Sequence, residues 1–144
     1  MKLKEALERL ENERFSIDYK VNGYHWELTL FKDDNEILEE YSSTRLSFLL
    51  EKFLNIKVEN KEANELIFIE NNYQTKDDDG LNVYLEFDNE DKKGFIHLET
   101  GYSEQEIELK NFDSFVTKIV DMENIIENFI NEDIDNRKEY KKVI

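Results

Sequence analysis

Residues 15–30 read FSIDYKVNGYHWELTL, and the fold follows from them. Phe15, Ile17, Tyr19 and Val21 alternate with Ser16, Asp18 and Lys20, and after Asn22-Gly23 the alternation resumes at Tyr24, Trp26, Leu28 and Leu30. A period of two places alternate side chains on opposite faces of a strand. Asn-Gly between two such runs predicts a hairpin with a type I′ turn, because both central residues of that turn need positive φ.

The same reading extends in both directions. Upstream, Leu3, Ala6, Leu7 and Leu10 recur at helical spacing, with Glu5 four residues before Arg9, and predict an amphipathic helix over residues 2–13. Downstream, the segment from Glu36 to Ser43 fits either a third strand or the start of a helix capped by Asp33; we read it as a strand. Leu46, Leu49, Leu50, Phe53 and Leu54 then mark a helix, with Ser43 or Thr44 as its N-cap. Leu66-Ile67-Phe68-Ile69 is too short for a helix and reads as a buried strand.

Further strands are predicted at 82–88, 94–100 and 104–109, and all four glycines (Gly23, Gly80, Gly94, Gly101) are assigned to turns or their margins, none within a strand. A long final helix follows, since Phe112, Phe115, Val116, Ile119, Met122, Ile126, Phe129 and Ile130 trace one face for five turns, with Asp113 near its start. The expected fold is α+β: an antiparallel, meandering sheet covered on one face by two or three helices, the C-terminal one longest. Tyr41-Ser42 and Tyr102-Ser103 occupy matching places in the two halves, an echo that a duplicated βββα unit would produce, although β-meanders followed by helices more often recur by chance.

The length of 144 residues suits a single domain spanning 1–144, and 18 aromatics supply enough buried area to offset chain ordering despite 38% charged residues. Cysteine is absent, which excludes disulfides, thiolate metal sites and cysteine nucleophiles. Met1 to Ala6 alternates charged and apolar residues, so neither signal peptide nor membrane anchor is expected, and a cytoplasmic protein is. Proline is also absent while Lys, Asn, Ile, Phe and Tyr abound, a bias expected of an AT-rich bacterium or its phage.

Motifs for chemistry are few. Asp77, Asp79, Gly80 and Glu86 match four positions of a calcium loop starting at Thr75, but Thr75 is no carboxylate and a strand follows where an exiting helix is needed. His25/Glu27 and His97/Glu99 each place imidazole and carboxylate on one strand face, and they would approach a metal site only if their strands were neighbours. Gly-x-Ser-x-Gly, Walker and dinucleotide motifs are missing, and 35 acidic residues give so many carboxylate pairs that none stands out as acid and base. The expectation is a non-enzymatic protein without cofactor or metal.

What remains is charge. Eleven acidic residues and two lysines lie between Asp77 and Glu108, so this stretch holds −9 of the net −16. With Val83, Leu85, Phe87, Ile96, Leu98, Ile107 and Leu109 turned to the core, the opposite face displays Tyr84, Glu86, Asp88, Phe95, His97, Glu99, Glu104, Glu106 and Glu108. Alternate carboxylates on a strand sit about 7 Å apart, comparable with the path between neighbouring phosphates of a nucleic acid. These nine residues are the candidate partner-binding site, and Phe95 matters most, since an outward Phe among charges is easier to explain as a contact than as an aid to solubility.

The expected partner is a basic protein, a nuclease being one candidate, bound in the manner of a phage anti-defence inhibitor or a nuclease immunity protein. The competing reading is a structural or housekeeping interaction domain, or a homo-oligomer, whose acidity serves only solubility. Direct nucleic-acid binding is disfavoured by the net charge. Arg137, Lys138, Lys141 and Lys142 are expected to complement the end of the last helix.

Overall fold

The computed structural model describes residues 1–20, 25–31, 36–43, 45–58 and 81–143, apart from the side chains of Lys20, His25, Ser42, Ser43 and residues 140–143. The elements run α1 (Leu3–Glu8), β1 (Phe15–Lys20), β2 (His25–Phe31), β3 (Ile37–Ser43), α2 (Leu46–Leu54), β4 (Asn82–Asp88), β5 (Lys93–Glu99), β6 (Glu104–Leu109), α3 (Phe112–Val120) and α4 (Met122–Val143). The Asn22-Gly23 turn, the Leu66–Ile69 strand and most of the calcium-loop match lie outside the described residues.

All six strands form one antiparallel sheet in the order β3-β2-β1-β4-β5-β6. Alternation decides which side is covered. Phe15, Ile17 and Tyr19, then Trp26, Leu28 and Leu30, then Val83, Leu85 and Phe87, and Ile96 and Leu98 are buried and join the buried residues of all four helices in one cluster. The fold is therefore α+β, with the helices on one face of the sheet.

Aromatic packing gives this core its shape. Phe87 stacks on Phe115 of α3 at 4.6 Å between centroids, and Phe15 meets Phe87, Phe112 and Phe115 at 6.1 to 6.2 Å. Such pairs contribute about 0.5–1.5 kcal/mol each beyond their buried area. They tie the central strands β1 and β4 to the helical layer.

Several sequence expectations change. The predicted final helix is two helices, broken at Asp121, whose carbonyl accepts the first bond of α4 from Ile125 and whose carboxylate accepts from Asn124. The apolar stripe runs through this break, so periodicity alone did not reveal it. Four helices rather than two or three are present among the described residues, and α1 ends at Glu8, short of the expected residue 13. Arg45, with no side-chain cap, stands at the N-terminus of α2 in place of Ser43 or Thr44, and that helix ends on Asn55 in the left-handed region at φ 56°.

Gly94, expected at the margin of a turn, lies within strand β5 as its second residue. A Cβ there would stand 2.0 Å from the Glu86 carbonyl oxygen and 2.7 Å from Phe87 Cα. Strands β4 and β5 approach too closely at this point for any side chain, which is what the glycine provides.

Candidate protein-binding face

The face opposite the helices is built by register. Residues directly paired across an antiparallel ladder share a face, with Cα atoms about 4.5–5.5 Å apart. Tyr84 pairs with His97 and His97 with Glu106; Glu86 pairs with Phe95 and Phe95 with Glu108; Glu99 pairs with Glu104; Asp88 pairs with Lys93. All nine candidate residues thus lie on one side of the sheet, and none of them belongs to the hydrophobic core cluster. Glu86, Glu104, Glu106 and Glu108 are exposed, and Tyr84 is 39% exposed.

The face is larger than the nine residues. Glu27 pairs with Asp18, and Asp18 with Glu86, which continues the Glu86–Phe95–Glu108 row across β1 and β2; Glu40 of β3 pairs with Thr29 of β2 on the same face. From Glu27 to Glu108 this row crosses four strand spacings, about 19 Å. Asp18, Glu27 and Glu40 escaped the sequence reading although their polar alternation was visible. What was missing was the pairing of β1 with β4, a contact between segments some seventy residues apart.

Within the face the groups differ. His97, whose side chain is 16% exposed, sits in a ring of carboxylates: its Nε2 lies 3.2 Å from Glu99 and 3.5 Å from Glu104, and its Nδ1 3.7 Å from Glu106. Its Nε2 thus lies within reach of both Glu99 and Glu104, like charges in direct opposition across β5 and β6. The Asp88 carboxylate accepts from the backbone N–H groups of Glu90 and Asp91 and so shapes the β4–β5 turn. Phe95 is outward but half-buried.

The proposed approach of His25/Glu27 to His97/Glu99 does not occur, because β1 and β4 separate β2 from β5. Among the described residues no group of three or more His, Asp or Glu is arranged to hold a metal ion.

Beside the face lies a polar anchor that sequence reading assigned otherwise. Asp133, fully buried on α4, accepts hydrogen bonds from Thr100 and Ser103 at the β5–β6 turn and from Arg137 Nε at 2.6 Å. Arg137 also lies over the Tyr102 ring, 4.3 Å from its centroid. Arg137 is therefore the partner of a buried carboxylate and not chiefly a helix-end charge. The anchor fixes α4 to the turn from which β6 and its glutamates emerge.

Comparison with protein-family models, with curated proteins and with solved structures finds no match. No helix among the described residues is long and apolar enough to cross a membrane.

Proposed function

We propose that this chain is a non-enzymatic acidic protein that binds and inhibits a basic, nucleic-acid-acting protein, using the outer face of its sheet as a substitute for nucleic-acid charge. A phage anti-defence inhibitor or a nuclease immunity protein fits this reading. The observation that carries it is coplanarity: Glu27, Asp18, Glu86, Phe95 and Glu108 follow one another in direct register across five strands. Beside them, Glu104 and Glu106 keep their side chains 71% and 64% exposed. A surface of one sign steers an oppositely charged partner and accelerates encounter, and the exposed rings of such a face supply contact area that charge alone does not.

The reading is tested by capture from an extract of the native host, with the wild type and with Glu104→Lys/Glu106→Lys/Glu108→Lys as bait. A basic nucleic-acid-acting protein retained by the wild type alone, released as ionic strength rises and inhibited by added wild-type protein supports it. Retention indifferent to salt and to the triple reversal contradicts it.

One observation favours the competing reading of a homo-oligomeric interaction domain. Ile37 and Leu38, each 54% exposed, lie side by side on β3, which ends the sheet among the described residues. Exposed apolar residues on an edge strand invite strand pairing with another chain. Sedimentation of the wild type against Ile37→Lys/Leu38→Lys decides it: a dimer dissolved by the pair of substitutions would favour that reading.

A further inference from the structure

Where β1, β4 and β5 run side by side, the outer face dips into a depression of about 210 Å³ bordered by Asp18, Tyr84, Glu86, Phe95 and His97. Its size falls below the roughly 300–1,000 Å³ of clefts that hold small-molecule ligands and suits a single side chain. The walls are mixed in a particular way. Tyr84 and His97 stand with ring centroids 6.2 Å apart and tilted by 47°, Phe95 lies in the next row, and Glu86 is directly opposite Phe95, with Glu108 on its other flank.

An aromatic surface edged by carboxylate matches a guanidinium better than any other common group. The flat faces of arginine are weakly hydrated and stack on rings, while its edge N–H groups donate to a carboxylate. The lysine ammonium holds its water more tightly and has no flat face to lay on a ring. An anionic group would meet Asp18, Glu86 and Glu108.

We propose that this depression receives one arginine side chain of the partner, its guanidinium lying against Phe95 and donating to Glu86. The proposal rests on the reading that the acidic face binds a basic protein, and it names the contact that anchors such a partner.

The test is an NMR titration with N-acetyl-arginine N-methylamide and with its lysine counterpart, on the wild type, Phe95→Leu and Glu86→Gln. The expected result is a saturable response centred on Tyr84, Glu86, Phe95 and His97, with weaker binding of the lysine compound. Phe95→Leu keeps an apolar wall and removes the ring, and should weaken the arginine compound by about two- to fivefold. Both substitutions fall on the outer face, and unchanged amide shifts of core residues such as Leu28 and Ile119 establish that the variants fold.

A response spread evenly over Glu99, Glu104, Glu106 and Glu108, or one indifferent to Phe95→Leu and to the choice of arginine or lysine, overturns the proposal. The two readings fail separately. If the titration shows no preference for the depression while capture of a basic protein stays sensitive to salt and to the triple reversal, the arginine seat is wrong and the acidic face stands.

Discussion

Replacing Asp133 with alanine is expected to release the C-terminal half of α4 from the sheet. The wild-type carboxylate is fully buried and accepts from Thr100, Ser103 and Arg137, whose own side chain is 12% exposed. Removing one partner of a buried ion pair costs about 3–5 kcal/mol, because the other charge is left without compensation. Two hydroxyls lose their acceptor as well, at about 1 kcal/mol each where they stay dry. These contributions are not additive, and local undocking sets a ceiling on them: beyond Ile130, Asp133 is the only buried side chain among the described residues, and the Asn136 amide also donates to Ser103 at 3.0 Å. Once the loss exceeds the docking energy of that segment, the segment detaches and Arg137 regains water.

We therefore expect a loss of about 3 kcal/mol in urea unfolding, corresponding to roughly 10 °C in Tm, with hydrogen-exchange protection lost first over residues 131–139. Asp133→Asn keeps one acceptor oxygen and the volume, and should fall between the two. If alanine costs less than about 0.5 kcal/mol and leaves protection unchanged, the carboxylate is no anchor and the assignment of this network is wrong.

Other substitutions probe the sheet and its surface. Gly94→Ala forces a methyl group against the Glu86 carbonyl oxygen and Phe87 Cα, backbone atoms that cannot turn aside, and is expected to cost about 2–3 kcal/mol in urea unfolding; wild-type stability would mean that β4 and β5 pair differently here. The Tyr41 phenol is held above its ordinary pKa of about 10, first by its hydrogen bond to Glu39 and then by burial and the Glu39 charge. A raised folded-state value stabilises the protein below that ordinary value and is lost as pH rises through the folded one, so Tyr41→Phe should lose less stability than the wild type between about pH 9 and pH 12. Parallel alkaline curves would refute this. The triple reversal at Glu104, Glu106 and Glu108 should leave thermal stability within about 1 kcal/mol of the wild type, since exposed charges contribute little, and a collapse of the fold would show that these groups serve structure.

Strand alternation around Trp26, Leu28 and Leu30, and around Val83, Leu85 and Phe87, was legible because a half-covered sheet imposes a period of two on local sequence. The same rule placed Tyr84, Glu86, Phe95, His97 and the three glutamates of β6 on the outer face. The break at Asp121 was hidden because the apolar stripe passes through it: Ile119 and Met122 are both buried although they belong to different helices. Nothing near Asp133 in sequence reveals that Thr100 and Ser103 come to meet it, so alternation and spacing gave it no role. The extension of the acidic face to Asp18 and Glu27 depended on which strands are neighbours, a long-range property that alternation does not encode. Gly94 was expected only at the margin of a turn because glycine commonly marks one; the close approach of two backbones is a tertiary fact.

The most direct test of the acidic face as a binding surface is the dissociation constant of the captured partner, measured against ionic strength for the wild type and for Glu104→Lys/Glu106→Lys/Glu108→Lys. Binding governed by this face weakens steeply as salt screens it, and is lost in the reversed protein already at low salt. Equal affinity of the two proteins, unchanged from low to high salt, would place the interface elsewhere and leave the acidity of the sheet to solubility alone.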